Sequence, residues 1–211
     1  MGRAPSLCGV ILAAGESSRM GRDKALLPWP PVGSEGAAGE TFLSAAIRLF
    51  GPFVDIVLVV AGKNVTVIAP VVYANGASLL ENPEPARGQF SSLQIGLQEV
   101  LNRGRDAAMI TLVDRPPVKS ETIGLLETAF ENALRQRKWA AVPEYHGNHG
   151  HPFLASREMI EAFLRAPANS NAREVEHANR EKIDYIAVED PLVVANIDTP
   201  EQYAALPVQV L

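Results

Sequence analysis

The chain has 211 residues, 47% of them hydrophobic, enough for one sizeable core and near the upper end of a single domain, taken here as residues 1–211. A net charge of −5 argues against a nucleic-acid surface, no stretch approaches the ~20 apolar residues of a membrane span, and the N-terminus lacks the apolar core of a secretory signal. The single cysteine, Cys8, excludes a disulfide framework and suits a reducing compartment, so a cytoplasmic protein with neither nucleic-acid nor membrane partners is expected; the opening MGRAPS fits a myristoylation pattern only formally.

Leu7–Ala13 is a short, continuous apolar run, as in a strand buried on both faces. It breaks at Ala14-Gly15 into a loop of small residues that ends in cations. Gly15 and Gly21 allow a tight turn and close approach of a ligand, Ser17 and Ser18 add hydroxyls, and backbone N–H groups there can line an anion site. Arg19, Arg22 and Lys24 place three positive charges within six positions, so a protein that is acidic as a whole can hold a small anion, of mononucleotide size rather than a polymer. Neither GxxxxGK[ST] nor GxGxxG is present. Pro28 to Gly39, PWPPVGSEGAAG, has no periodicity and reads as a mobile loop, an inert insertion being favoured over a lid.

Further strands are predicted at Ile56–Ala61, Ala77–Leu80, Ala107–Val113, Ala140–Pro143 and Ile183–Val188. Helices are predicted near Thr41–Leu49, Val65–Tyr73, Ser91–Asn102, Ser120–Arg137 and Arg157–Arg165. This alternation is the mark of a parallel α/β sheet, whose ligand site lies outside the carboxyl ends of the strands. Three segments leave strands there: the opening loop, Asn82 to Gln89, and the turn at Asp114.

Asp114 follows AAMITLV and precedes Arg115-Pro116-Pro117, so the strand stops and the carboxylate emerges at the sheet edge. Mg²⁺ takes one or two such carboxylates beside substrate phosphates and water, while an Asp after a strand is as often a turn or cap residue. Arg115 has two readings, a phosphate contact or a solvent-facing side chain. In Val193 to Glu201, VVANIDTPE, Asn196 and Asp198 alternate by two and share a face if the strand persists. Asp198 or Thr199 can equally cap a helix begun at Pro200, and both readings can hold together. His146, His149 and His151 fall within six positions, but without cysteines or a carboxylate at zinc spacing no zinc site is expected; His177 reads as a polar helix residue.

Leu12-Ala13-Ala14-Gly15, Ser17, Arg19-Met20-Gly21, Lys24 and Leu26-Leu27-Pro28 resemble, residue for residue, the LAAGxSxRMGxxKxLLP signature of the MobA-like NTP transferases of molybdenum-cofactor maturation. The resemblance extends to Asn82-Pro83 through Gly88 to Ser91-Ser92-Leu93, to Asp114-Arg115-Pro116 where relatives carry Asp-Gln-Pro, to Gly150-His151-Pro152, and to Asn196-Ile197-Asp198-Thr199-Pro200 where relatives carry DIDTP. It implies a three-layer α/β/α, mostly parallel, nucleotide-diphospho-sugar transferase (Rossmann-like) fold. It also implies a Mg²⁺-dependent nucleotidyltransferase, in which Leu12, Ala13, Ala14, Gly15, Ser17, Arg19 and Lys24 hold the nucleotide and Asn82, Gly88 and Ser92 touch base or ribose. By the same resemblance Asp114 and Asp198 hold the metal, ahead of Asn196, and Gly150, His151 and Asn196 lie near the acceptor.

The transfer so implied has the acceptor's terminal phosphate attack the α-phosphorus of an NTP and expel pyrophosphate, with Arg19, Lys24 and Asp114 as the catalytic set. Ala13-Ala14, in place of the Gly-Gly of the guanylyl branch, implies CTP, and the acceptor is then molybdopterin, with a molybdoenzyme as a further partner. The alternatives are a sugar- or polyol-phosphate acceptor, a glycosyltransferase of related fold, and a non-catalytic chaperone carrying nucleotide or pterin, which the Arg115 and Asn196 departures keep open.

Overall fold

The computed structural model describes residues 6–17, 19–31 and 39–206, so Ser18, the opening five residues and most of the Pro28–Gly39 loop lie outside the described residues. Eight strands form one sheet: β1 (Leu7–Ala13), β2 (Ile56–Ala61), β3 (Ser78–Glu81), β4 (Ala107–Leu112), β5 (Ala140–Tyr145), β6 (Asn148–His149), β7 (Phe153–Ser156) and β8 (Ile183–Ala187). The order is β3-β2-β1-β4-β7-β5-β6, with β8 also paired to β5. Pairs among β1 to β4 are parallel, as is β5 with β8; β7 is antiparallel to both β4 and β5. The sheet is therefore mixed but mostly parallel, as expected.

Two apolar layers cover it. Leu7, Ile11 and Ala13 of β1 pack with α1 (Phe42–Phe50), α2 (Val65–Ala74) and α4 (Ser120–Arg135), while Cys8, Val10 and Leu12 pack with α3 (Gln89–Asn102), α5 (Arg157–Arg165) and α6 (Ala172–Ala178). Alternate residues of one strand thus serve opposite cores, which is why its sequence is apolar without interruption. A last short helix, α7 (Pro200–Ala204), is capped by Thr199 in a reciprocal box with Gln202.

The connections through α1 and α2 build outward from β1 to β3, and α3 then returns the chain to the other side of β1, where β4 pairs. The winding reverses between β1 and β4, so the loops leaving these two strands part from each other and open a crevice at their carboxyl ends. The opening loop and Asp114 are those two loops.

The structure corrects several sequence expectations. The strands β6 and β7, both antiparallel to β5, and the helix α6 lie outside the sequence expectations: β7 has four residues and α6 seven, too short for a periodic signal. Helix α3 begins at Gln89 rather than Ser91, with Gly88 at its cap; the Ser91 hydroxyl donates to the Gly88 carbonyl at 2.7 Å from inside the first turn. No strand runs through Asn196 to Asp198, yet the two side chains meet, Asn196 Nδ2 donating to Asp198 Oδ2 at 2.7 Å. The ends of the Pro-rich loop are tied together by a bridge between Pro28 and Thr41 and by edge-on packing of Trp29 against Phe42 at 5.1 Å.

Candidate active site

The opening loop is held from behind by residues that its own sequence does not contain. Asn64, just past β2, donates to the Ala13 carbonyl at 2.9 Å and to Asp23 Oδ2 at 2.6 Å, and its Oδ1 accepts the Gly62 N–H. A Cβ on Gly62 would lie 2.8 Å from the Ala14 carbonyl oxygen, so only glycine lets β2 and the loop close up. Ser17 Oγ accepts the Lys24 N–H at 3.1 Å, and Asp23 caps the short 3-10 turn at Lys24–Leu26. These bonds bury Lys24 to 8% exposure and direct its ammonium inward.

There it meets both predicted carboxylates. Lys24 Nζ lies 2.7 Å from Asp198 Oδ1 and 3.5 Å from Asp114 Oδ2, and Arg19 reaches Asp198 Oδ1 at 3.1 Å. The hydrogen bond from Lys24, joined by the charges of Lys24 and Arg19 and the Asn196 amide, holds the Asp198 carboxyl below its ordinary value. Asp114 Oδ1 is buried and has no hydrogen-bond partner among the described residues. Arg22 is exposed and stands apart from this cluster.

A brace brings Asp198 to Asp114 across more than eighty residues of sequence. The Asp114 carbonyl accepts the Ile197 N–H at 2.9 Å, and the Arg115 guanidinium donates to the carbonyls of Val194 and Ala195 at 3.1 and 3.0 Å. Through these two bonds Arg115, half-buried, acts as a strut. Asp190, 1% exposed, accepts from Lys119 N, Thr122 Oγ1 and Leu192 N, fastening the segment before Asp198 to the start of α4. Gly150 adds a third tie: a Cβ there would collide with the Val193 carbonyl oxygen, and the His151 N–H donates to that oxygen at 2.8 Å. Asn64, Gly62, Asp190 and the strut role of Arg115 escaped the sequence reading; the faint signal was a Gly-x-Asn directly after a strand.

Beside the charged cluster a cleft of about 370 Å³ opens between the opening loop and α3. Leu12, Ala14, Gly15, Gly88, Gln89 and Ser92 line it. Gly88 has φ +93°, a backbone that favours glycine, and the α3 N-terminus beside it has no side-chain cap, an arrangement that suits an anion. Ala13 and Asn82 stand behind this wall: Ala13 is 1% exposed in the core, and buried Asn82 donates to the Ser91 and Ser92 hydroxyls at 2.9 Å each. Ser17 likewise serves the loop's own geometry.

The three clustered histidines turn to separate partners. His149 stacks on Tyr185 at 4.1 Å, His146 lies against Tyr145, and His151 Nδ1 faces the Ile110 carbonyl at 3.4 Å. Burial, helped by the Arg115 charge, pushes the His151 imidazole down to about 4, so it is neutral near pH 7. Among the described residues no helix is long and apolar enough to cross a membrane.

The model of the MobA-like NTP transferase domain matches residues 9–183. The chain is 26% identical over 198 residues to the molybdenum cofactor cytidylyltransferase of Escherichia coli K12, covering 92% of each chain. It is 28% identical over 208 residues to the probable molybdenum cofactor guanylyltransferase of Mycobacterium avium strain 104, covering 98% of each. Among solved structures, Rv0371c of Mycobacterium tuberculosis H37Rv superposes with a TM-score of 0.74 at 23% identity over 94% of this chain and 96% of that one; its manganese complex gives 0.71. With the model spanning β1 to the start of β8 and both crevice loops, the chain belongs to the MobA-like NTP transferase family.

Proposed function

We propose that this nucleotidyltransferase moves a CMP group from CTP to the terminal phosphate of molybdopterin. An acceptor phosphate oxygen forms the new bond to the α-phosphorus, and the bond from that phosphorus to the bridging oxygen breaks, releasing pyrophosphate. The observation that carries the reading is the meeting of Lys24 and Arg19 with Asp114 and Asp198 at the β1/β4 crevice, next to a cleft walled by Gly15, Gly88 and Ser92.

Leu12, Ala14, Gly15, Gly88 and Ser92 hold the nucleoside, with Ala13 and Asn82 shaping the wall from behind and Ser17 keeping the loop's turn. Lys24 and Arg19 exchange their carboxylate partners for the triphosphate and offset the charge that develops on it. The acceptor lies toward Gly150 and His151, with Asn196 orienting the Asp198 carboxylate. A Mg²⁺ ion fits the donor set: a buried Asp114 oxygen without a partner beside the Asp198 carboxylate, two hard oxygen ligands of the kind Mg²⁺ takes alongside phosphates. When bound between Asp114 and Asp198, it would neutralise phosphate charge and align the triphosphate. CTP is preferred to GTP on Ala13-Ala14, although similar proteins carry both names.

The test is thermal stabilisation by CTP, GTP, ATP and UTP, each with and without Mg²⁺, followed by pyrophosphate release on adding molybdopterin. A ligand at 100 times its Kd adds about 2.7 kcal/mol, a readable melting shift. The reading expects a Mg²⁺-dependent shift greatest with CTP, and pyrophosphate only with the acceptor. Binding without pyrophosphate from molybdopterin, a sugar phosphate or a polyol phosphate would make the protein a carrier instead.

A further inference from the structure

A second cavity, of about 260 Å³, adjoins the nucleotide cleft and shares Leu12, Gly88 and Gln89 with it. Its walls differ in kind. Phe90, Leu93, Ile110, Leu112 and Phe153 make it apolar, the usual setting for a flat ring held by a few polar groups. Two of those groups are acceptors. His151 directs Nδ1 to a carbonyl, which can only accept, so Nδ1 carries the proton and Nε2 is left as an acceptor. Glu176, on α6, is the other, and its carboxyl makes no hydrogen bond or ion pair among the described residues.

A half-buried carboxyl without a partner is costly unless a ligand supplies one. Burial raises Glu176 to about 7, with the nearby Arg173 charge acting the other way. A carboxylate accepts best from two parallel N–H groups, and the commonest flat ring offering such a pair is a cyclic amidine with a ring N–H beside an exocyclic amino group.

We propose that this cavity binds the 2-amino-4-oxopyrimidine edge of a fused heterocycle, and that Glu176 accepts its paired N–H donors. The inference rests on the transfer reading above, in which the ring belongs to a substrate seated beside the nucleotide, and it assigns a specificity-determining contact to a residue of α6. Both a pteridine and a guanine carry this edge. His151 Nε2 is a neutral second acceptor in the same cavity.

Pterin and lumazine separate the chemistry cleanly, because they share shape and ring and differ in replacing the 2-amino group by a carbonyl. Just above neutral pH, titration by pteridine fluorescence is expected to give the wild type at least about tenfold tighter binding of pterin than of lumazine, the scale of a lost hydrogen bond to a charged group. Glu176→Gln should bring that ratio near one while leaving Mg²⁺-CTP binding in the cleft unchanged. A parallel arm with GTP and CTP identifies the source of the edge: if the variant loses GTP affinity alone, and the pteridines are not distinguished by the wild type, the edge read is that of a guanine base. Equal binding of pterin and lumazine by the wild type, with no selective loss of GTP in the variant, would overturn the proposal; should the variant fail to fold, the wild type's choice between pterin and lumazine decides it alone. Failure of CTP to bind the wild type would instead defeat the transfer reading, so the two outcomes are distinct.

Discussion

The crevice and the second cavity lie side by side and are organised by opposite means. At the crevice, two cations and two carboxylates offset one another's charge, with Asp114 Oδ1 alone among their oxygens buried and without a hydrogen-bond partner among the described residues: Lys24 bonds Asp198 at 2.7 Å and approaches Asp114 at 3.5 Å, with Arg19 closing the set. In the cavity, mostly apolar walls surround a carboxyl that has no partner among the described residues. A charged site that is balanced without ligand must trade partners on binding, so its strength is set by differences between similar ion pairs. An apolar site with one unmet group gains the whole contact, so its strength lies in discrimination.

The largest expected break in this contrast is Asp114→Ala. It removes the oxygen that has no protein partner while leaving Lys24 paired to Asp198. In the proposed transfer, the rate of pyrophosphate release should fall by about 100-fold or more, in the range seen when one electrostatic element is lost from a reacting centre. Full turnover in Mg²⁺ would remove Asp114 from the catalytic set. The cavity should be indifferent, and pteridine binding should stay as in the wild type.

Two glycines sharpen the comparison between scaffold and surface. A Cβ at Gly150 would press on the Val193 backbone, 2.6 Å from its carbonyl carbon, and Val193 leads to the segment that carries Asp198. Gly150→Ala should therefore cost about 2 kcal/mol by calorimetry and weaken Mg²⁺-nucleotide binding as well. A Cβ at Gly15 would meet nothing within 4 Å, and Gly15 lines the cleft. Gly15→Ala should leave the melting temperature nearly unchanged, within about 0.5 kcal/mol, and weaken the nucleotide alone. Equal effects of both variants on stability would mean that the open side of Gly15 is not a binding face.

Lys24→Met tests whether the balanced set resists a free cation. With the ammonium gone, Asp198 loses the bond that lowers its pKa, and both carboxylates become available. Binding of Mn²⁺ without nucleotide, followed by electron paramagnetic resonance, should tighten by about tenfold even as transfer is lost. The pair also has a pH signature. A depressed carboxyl contributes stability above its ordinary value of 3.8 and loses it as pH falls through the lowered one, and this acid-range loss should shrink in the variant, where only Arg19 and Asn196 still lower the carboxyl.

The two regions were not equally legible in the sequence. The crevice could be read because β1 and β4 are uninterrupted apolar runs that end abruptly, at Ala14-Gly15 and at Asp114, and because reversal of winding places such ends together. Leu12, Ala14, Gly15, Lys24 and Asp114 belong to these strand ends and the loop that leaves them, whereas Asp198 follows no strand and was singled out through the resemblance of its segment; nothing local to it indicated that Arg115 and Asp190 hold it in place. The cavity could not be read. It exists only where α6 approaches β4 and the antiparallel β7, two elements too short to declare themselves, and Glu176 is an ordinary helix glutamate until those walls enclose it.

The smallest effect comes from the cavity's own pair of titrating groups, whose slopes oppose each other. His151 is pushed down to about 4 from 6.5, so between those values the unfolded chain binds the extra proton and acid destabilises the fold. Glu176 is pushed up to about 7 from 4.5, so across that window the folded chain holds the proton and acid stabilises. The two windows overlap from 4.5 to 6.5, and the wild type should show little net slope from this cavity there. Each single variant should uncover its partner's share, on the order of 1 kcal/mol given the solvent that reaches both groups. Glu176→Gln should lose stability as urea melts move from pH 6.5 to 4.5, and His151→Gln should gain it. Slopes of the same sign in the two variants would mean that the groups do not titrate against each other across one enclosed space.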